Sequence, residues 1–331
     1  MAETVAVTGA EGFIGSHLAE ALVRRGKRVK AMVFYNMHGS RGWLEELEPD
    51  VQDQIEVVFG DVRDPASVRT VVEGAEAVYH LAALVSVPYS YSATRSFVDT
   101  NVIGTLHVLE AVRACRTPRM VHTSTSETYG TARAVPISEA HQMQAQSPYA
   151  ASKMGADKLV ESYHLSFDTP AVTLRPFNTF GPRQSARAVI PTIITQLAAG
   201  NRKLKLGALA PTRDFLFVTD TAEAFAVLGE APASAVLGEV FNAGTGSDVA
   251  IGQLAADIAA LMGADVDITE DSQRLRPKDS EVMRLVCDAS KLHERTGWRP
   301  GHTREEGLDV TIDWFRRPGT LARYNPSHYS Q

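Results

Sequence analysis

Through the first 175 residues, short apolar runs alternate with longer stretches in which apolar positions recur every three or four residues. The runs "TVAVTG", "RVKAMVF", "IEVVFG", "AVYHLAA", "RMVHTS" and "AVTLRPF" predict strands. Between them, "FIGSHLAEALVRRG", "PASVRTVVEG", "FVDTNVIGTLHVLEAVRAC" and "SPYAASKMGADKLVESYHLSF" carry the helical period. Strands that alternate with helical crossovers predict a parallel, doubly wound α/β sheet of the Rossmann type. After about Arg175 the regularity fades, and proline and glycine gather in "RPFNTFGPRQ". The pattern predicts a large domain over residues 1–175, with residues 215–245 returning to it. Residues 176–214 and 246–331 then form a smaller α/β domain.

Composition narrows the partners. The 331 residues are 44% hydrophobic and 22% charged, enough for a sizeable core. A formal charge of −6 gives no general attraction to nucleic acid or to an anionic membrane. No apolar run approaches the roughly 20 residues needed to span a bilayer, and "MAETVAVTGAEG" lacks a secretory apolar core. A cytoplasmic protein is the expectation. Cys115 and Cys287 lie in unrelated contexts, so neither a disulfide nor a metal site is expected.

The first chemical feature is "VTGAEGFIGSHL", where Gly9, Gly12 and Gly15 separate an apolar strand from an amphipathic helix. Glycine permits a tight turn and close backbone approach, and the helix start offers N–H groups to a diphosphate. The feature predicts dinucleotide binding. A carboxylate at the end of the second strand commonly holds the adenosine ribose, but Val33 and Phe34 stand there. NAD and NADP both stay open. Asn36, Ser40 and Arg41 are the nearest groups for a ribose or its phosphate, while Asp61 and Val62 end the third strand near an adenine edge. Asp61 also suits a plain turn or helix cap.

The second feature is "YAASK", in which Tyr149 and Lys153 share one helix face. An ammonium beside a phenol favours phenolate, which predicts a lowered Tyr149 pKa and a usable base.

With "YHLAA", "DTNVIGT", "STSETYG", "SPYAASK", "RDFLFVTD", "FNAGTG" and "TGWRP" added, the chain resembles the extended short-chain dehydrogenase/reductases that act on nucleotide sugars. Within them it is most similar to the 4,6-dehydratases, of the GDP-mannose type and the legionaminate type that acts on GDP-N-acetylglucosamine. The resemblance implies a tightly held NAD or NADP, recycled in each turnover and cradled also by Phe13, Ile14, Leu81, Ala82, Ala83 and Thr123. It implies a homodimer through the helices bearing Leu106 and Leu159. For the sugar nucleotide it implies Ser86, Thr125, Ser126, Asn178, Arg187, Arg213 and Arg276. Guanidinium groups suit diphosphate, and a net-negative protein needs local cations to hold one. Arg183 also fits a surface ion pair, Trp298 and Pro300 fit packing, and Glu139 fits a loop charge.

The implied reaction is oxidation at C4, elimination of water across C5 and C6, and return of hydride to C6. Tyr149 would take the O4 proton, Lys153 would assist it, Thr125 would hold O4, and Glu127 would take the C5 proton. In an extended segment Thr125 and Glu127 face the same side. Some relatives carry an acid where this chain has Ser126, which leaves the source of the leaving-group proton open. A 4-epimerase needs no C5 base, a nucleotide-glucuronate decarboxylase also carries Thr-Ser-Glu, and a non-enzymatic nucleotide-binding protein would have no use for Tyr149 and Lys153.

Overall fold

The computed structural model describes residues 2–324. All six strands predicted for the first half form: β1 (Thr4–Thr8), β2 (Arg28–Phe34), β3 (Ile55–Gly60), β4 (Ala77–His80), β5 (Met120–Thr123) and β6 (Ala171–Pro176). The second half adds β7 (Asn178–Phe180), β8 (Lys203–Leu206), β9 (Thr212–Phe217), β10 (Val240–Ala243), β11 (Asp248–Ala250), β12 (Asp267–Glu270) and β13 (Arg284–Leu285). The main sheet runs β3-β2-β1-β4-β5-β6-β10, with every pairing parallel. This is the doubly wound Rossmann order, and its switch point lies between β1 and β4, where such folds bind ligands.

Helices cover both faces of the sheet. On one face α1 (Phe13–Arg24) brings Leu18 and Leu22 into a core with Val5, Val7, Val29 and Val33. On the other, α2 (Pro65–Val72), α3 (Gly104–Cys115) and α4 (Pro148–Phe167) bury Val68, Val108, Val112 and Val160. Leu18 is 0% exposed, and truncating such a residue to alanine costs about 2–5 kcal/mol. Local chemistry sets the helix starts. Asp64 accepts the Ala66 and Ser67 N–H groups ahead of α2, and Ser147 accepts the Ala150 N–H ahead of α4, each with proline at the first turn. By contrast, Gly12 caps α1 with no side chain, which leaves its first N–H groups to be met otherwise.

One predicted helix breaks. "FVDTNVIGTLHVLEAVRAC" contains a π-helical turn over Val98–Ile103 before α3 begins. Its Asn101 side chain turns inward to bond the Leu84 backbone and Ser152, and a π-turn is the usual way to insert such a group.

Beyond β6, β9 lies between β11 and β13 and also pairs with β7, while β12 pairs with β8. Helices α5 (Val189–Ala198), α7 (Ile251–Leu261) and α8 (Arg304–Arg316) cover this smaller sheet around Phe180, Ile194, Phe217, Ile258 and Trp314. Between them α6 (Val218–Glu230) packs beside α1, and β10 joins the edge of the main sheet. Trp298 is buried in the main core, as packing predicted.

Candidate active site

The glycine loop sits at the switch point. Gly9 takes φ +70°, and a Cβ there would lie 2.8 Å from the Ala82 backbone; at Gly15 it would lie 2.1 Å from the Gly9 carbonyl. The loop after β1 is therefore pressed against the segment after β4, a fit only glycine allows. Thr8 Oγ1 accepts the N–H groups of Leu81 and Ala82 at 3.2 and 3.1 Å. Their backbone is thereby fixed beside the glycine loop while their side chains pack against the cores on either side of the sheet, and Ala83 follows them. Phe13 and Ile14, in the first turn of α1, are only partly buried. Thr123, at the end of β5, keeps its hydroxyl buried with no hydrogen-bond partner among the described residues. The glycine cradle, the uncapped start of α1 and this hydroxyl together fit a bound dinucleotide.

The adenosine-side candidates are occupied internally. Asn36 bonds the backbone of Phe34, His38 and Ser40 and so shapes its own loop. Arg41 donates to Gln52 Oε1 at 3.0 Å. Asp61 grips the Arg63 guanidinium, whose hydrogen bonds hold the carboxyl below its usual range. Val62 packs against Gly104.

Tyr149, Lys153 and Asp157 follow one another at single-turn spacing along α4, and all three are buried. The Tyr149 ring packs edge-on to Phe97 at 6.1 Å. The predicted acidification of Tyr149 does not hold. Burial pushes its phenol up, a hydrogen bond with Thr125 draws it back, and the fields of Glu127 and Asp157 push it further up. Burial also holds Lys153 down to about 8, against the pull of Asp157. Desolvation disfavours phenolate and ammonium alike, and the charge that compensates Lys153 is Asp157, one turn further on.

Asp157 anchors a polar network that the strand and helix patterns did not reveal. Its carboxylate accepts from Ser124 Oγ at 2.7 Å and Arg175 Nη2 at 2.9 Å, and lies 3.2 Å from His122 Nε2. Arg175 also donates to Tyr129, whose hydroxyl donates to Asn242. Glu139, expected as a loop charge, instead accepts the Asn242 N–H at 2.8 Å, and burial raises its pKa. The readable trace of Asp157 was its spacing from Tyr149 and Lys153.

"STSETYG" does not continue as a strand. Ser126–Tyr129 form a 3-10 turn capped by Thr125, whose Oγ1 accepts the Glu127 N–H at 3.2 Å. Thr125 and Glu127 therefore both act on Tyr149 through a tight turn, not through strand alternation. Ser126 is buried. Glu127 lies 3.6 Å from Arg276 Nη1, which is also 3.8 Å from Glu281. Arg213, buried on β9, donates to Glu281 at 3.1 Å and to the Thr212 carbonyl. The two arginines expected on diphosphate thus face carboxylates here, and Glu281 is a site residue that sequence reasoning passed over.

The remaining candidates are scattered around this cluster. Asn178 opens β7 with its amide nitrogen buried and without an acceptor among the described residues, so it has a donor to offer. Arg187 is exposed, and its guanidinium pairs with no carboxylate among the described residues. Ser86 caps the turn Val87–Ser90. Arg183 is tied to Glu20 and Ser16 on α1, as an ion pair predicted.

Known proteins show the same organisation. The profile of the family described as GDP-mannose 4,6 dehydratase matches residues 6–311. The dTDP-glucose 4,6-dehydratase of Xanthomonas campestris is 32% identical, over 93% of this chain and 92% of that one. The UDP-glucose 4-epimerase of Mycolicibacterium smegmatis is also 32% identical, over 94% of this chain and 97% of that protein. Among solved structures, the dTDP-glucose 4,6-dehydratase DesIV from Streptomyces venezuelae, determined with NAD bound, superposes with a TM-score of 0.83 at 28% identity over 95% of this chain and 97% of that one. With the profile covering nearly all of the chain, this protein belongs to the GDP-mannose 4,6-dehydratase family of nucleotide-sugar short-chain dehydrogenase/reductases.

Proposed function

We propose that this protein is a nucleotide-sugar 4,6-dehydratase, converting a GDP- or UDP-linked hexose, plain or N-acetylated, to its 4-keto-6-deoxy form plus water. The observation that carries the reading is a carboxylate, Glu127, held beside Arg276 at 3.6 Å on the turn after β5 and close enough for its charge to raise the pKa of the Tyr149 phenol. A 4-epimerase has no proton to remove at C5 and no use for that carboxylate.

When bound, the nicotinamide would take the C4 hydride and later return it to C6. The chain's own residues manage the protons. With Thr125 holding O4, Tyr149 takes the proton from that oxygen as its own phenol proton passes to water, so that no free phenolate is needed. The resulting C4 ketone acidifies the C5 hydrogen, which Glu127 removes. Glu127 then delivers that proton to the departing C6 hydroxyl, which leaves as water. This assigns to one carboxylate both roles that Ser126 cannot share, since a serine hydroxyl is too weak an acid. A final proton from water, relayed by Glu127, restores C5 as hydride reaches C6.

Residues 1–175 with 215–245 would hold the dinucleotide, and 176–214 with 246–331 the sugar nucleotide, through Asn178, Arg187, Arg213 and Arg276. A cytoplasmic homodimer built on α3 and α4 completes the reading. It is supported by exposed Leu165 and Phe167 at the end of α4 and by the absence, among the described residues, of a helix long and apolar enough to cross a membrane.

The test is incubation with GDP-, UDP- and dTDP-hexoses followed by mass spectrometry. Loss of one water with no net consumption of cofactor is expected. An isomer of unchanged mass points to epimerisation, and loss of carbon dioxide from a uronate points to decarboxylation; either outcome overturns the reading.

A further inference from the structure

The second strand ends in Phe34 without the acid that a ribose diol calls for, yet a carboxylate does stand at that strand end. It comes from the glycine loop. Glu11 Oε1 accepts the Phe34 N–H at 2.9 Å, so this side chain reaches from the turn after β1 to the tip of β2. Its other oxygen, Oε2, is out of solvent and meets no donor among the described residues. Burial raises the Glu11 pKa, and the Phe34 N–H draws it part of the way back.

The backbone fixes Glu11 in this pose. Its carbonyl accepts the Trp43 N–H at 3.1 Å. Gly42, at φ +57°, packs so closely that a Cβ there would lie 2.8 Å from the Glu11 carbonyl and 2.9 Å from its Cβ.

The cations that would balance a 2′-phosphate are turned elsewhere. Arg41 is bonded to Gln52 in a pocket shared with Leu44, Ile55 and Val57, beside the first half of β3 and not the strand ends. Ser40 Oγ and the Arg41 N–H both converge on Glu45 Oε1, at 3.1 and 2.6 Å, which brings in a second carboxylate. Arg63 is taken by Asp61.

We propose that Glu11 holds the adenosine ribose diol in place of the missing β2 acid, and so makes this enzyme select NAD over NADP. A ribose hydroxyl supplies the donor that Oε2 lacks, whereas a 2′-phosphate would set two or more negative charges against Glu11 while Arg41 is bonded to Gln52 and Arg63 to Asp61.

The inference rests on the dinucleotide site alone, and titration tests it without turnover. Cofactor-free protein is titrated calorimetrically with NAD and with NADP, and NAD is expected to bind about tenfold or more tightly. Glu11→Gln keeps an oxygen for the Phe34 N–H but removes the charge, and is expected to narrow the NAD-to-NADP ratio by about tenfold. Glu11→Ser carries the same expectation should the glutamine variant misfold. Equal or tighter NADP binding by the natural protein overturns the proposal, as does a ratio unchanged in both variants. Because these affinities do not depend on which sugar reaction follows, loss of the dehydratase reading would leave them standing.

Discussion

Arg276 Nη1 stands 3.6 Å from Glu127 Oε2, joining the turn after β5 to a segment far along the chain. The contact puts a cation beside the carboxylate whose charge is felt by the Tyr149 phenol. Glu127→Gln keeps the shape but removes the base. Oxidation at C4 is expected to persist, seen as reduced nicotinamide on rapid mixing, while water loss falls by about 10² to 10⁴. Full dehydration by this variant would remove Glu127 from the mechanism.

Tyr149→Phe deletes one hydroxyl and leaves the ring against Phe97. The fold should hold, with a melting temperature close to that of the natural protein. Formation of reduced nicotinamide on adding substrate should fall by about 10² to 10⁴, because the O4 proton then has no acceptor.

Lys153 sets the alkaline limb. Below about 8 it is an ammonium and above it an amine, because burial holds it down. Turnover is expected to decline as pH rises through about 8, and Lys153→Met should abolish that limb along with most of the activity. The effect on stability has the opposite sign. The folded value lies below the unfolded 10.5, so between the two the unfolded chain binds more protons, and this group's contribution to stability grows as pH rises. A pH–rate profile paired with denaturation at each pH separates the two effects.

Asp157 is the counter-ion of a buried cluster. Asp157→Asn leaves the Arg175 guanidinium desolvated without its charge partner and disturbs Ser124 and His122. Breaking such a pair costs about 3–5 kcal/mol, which should appear as a lower urea midpoint at unchanged slope.

The site was legible where its chemistry is local. Gly9, Gly12 and Gly15 lie in one strand-to-helix connection and Tyr149 and Lys153 on one helix face, so spacing read together with the flanking strand and helix patterns brought them forward. The 3-10 turn at Ser126–Tyr129 escaped because hydroxyl-rich residues after a strand suit either an extended segment or a cap, and Thr125 chose the cap by accepting the Glu127 N–H. Glu281 and Glu11 escaped because their partners, Arg213 and the Phe34 N–H, are brought near by chain crossings that no spacing encodes.

The sequence by itself determined the parallel sheet, its glycine turn and the tyrosine helix, since each follows from periodicities and dihedral preferences acting over a few residues. Tertiary structure decided the charges. Whether Tyr149 is acidified, which carboxylate meets which guanidinium, and where the ribose acid comes from all depend on desolvation and on distances across the fold. Both quantities exist only once β1, β5, α4 and the segment around Arg276 have come together.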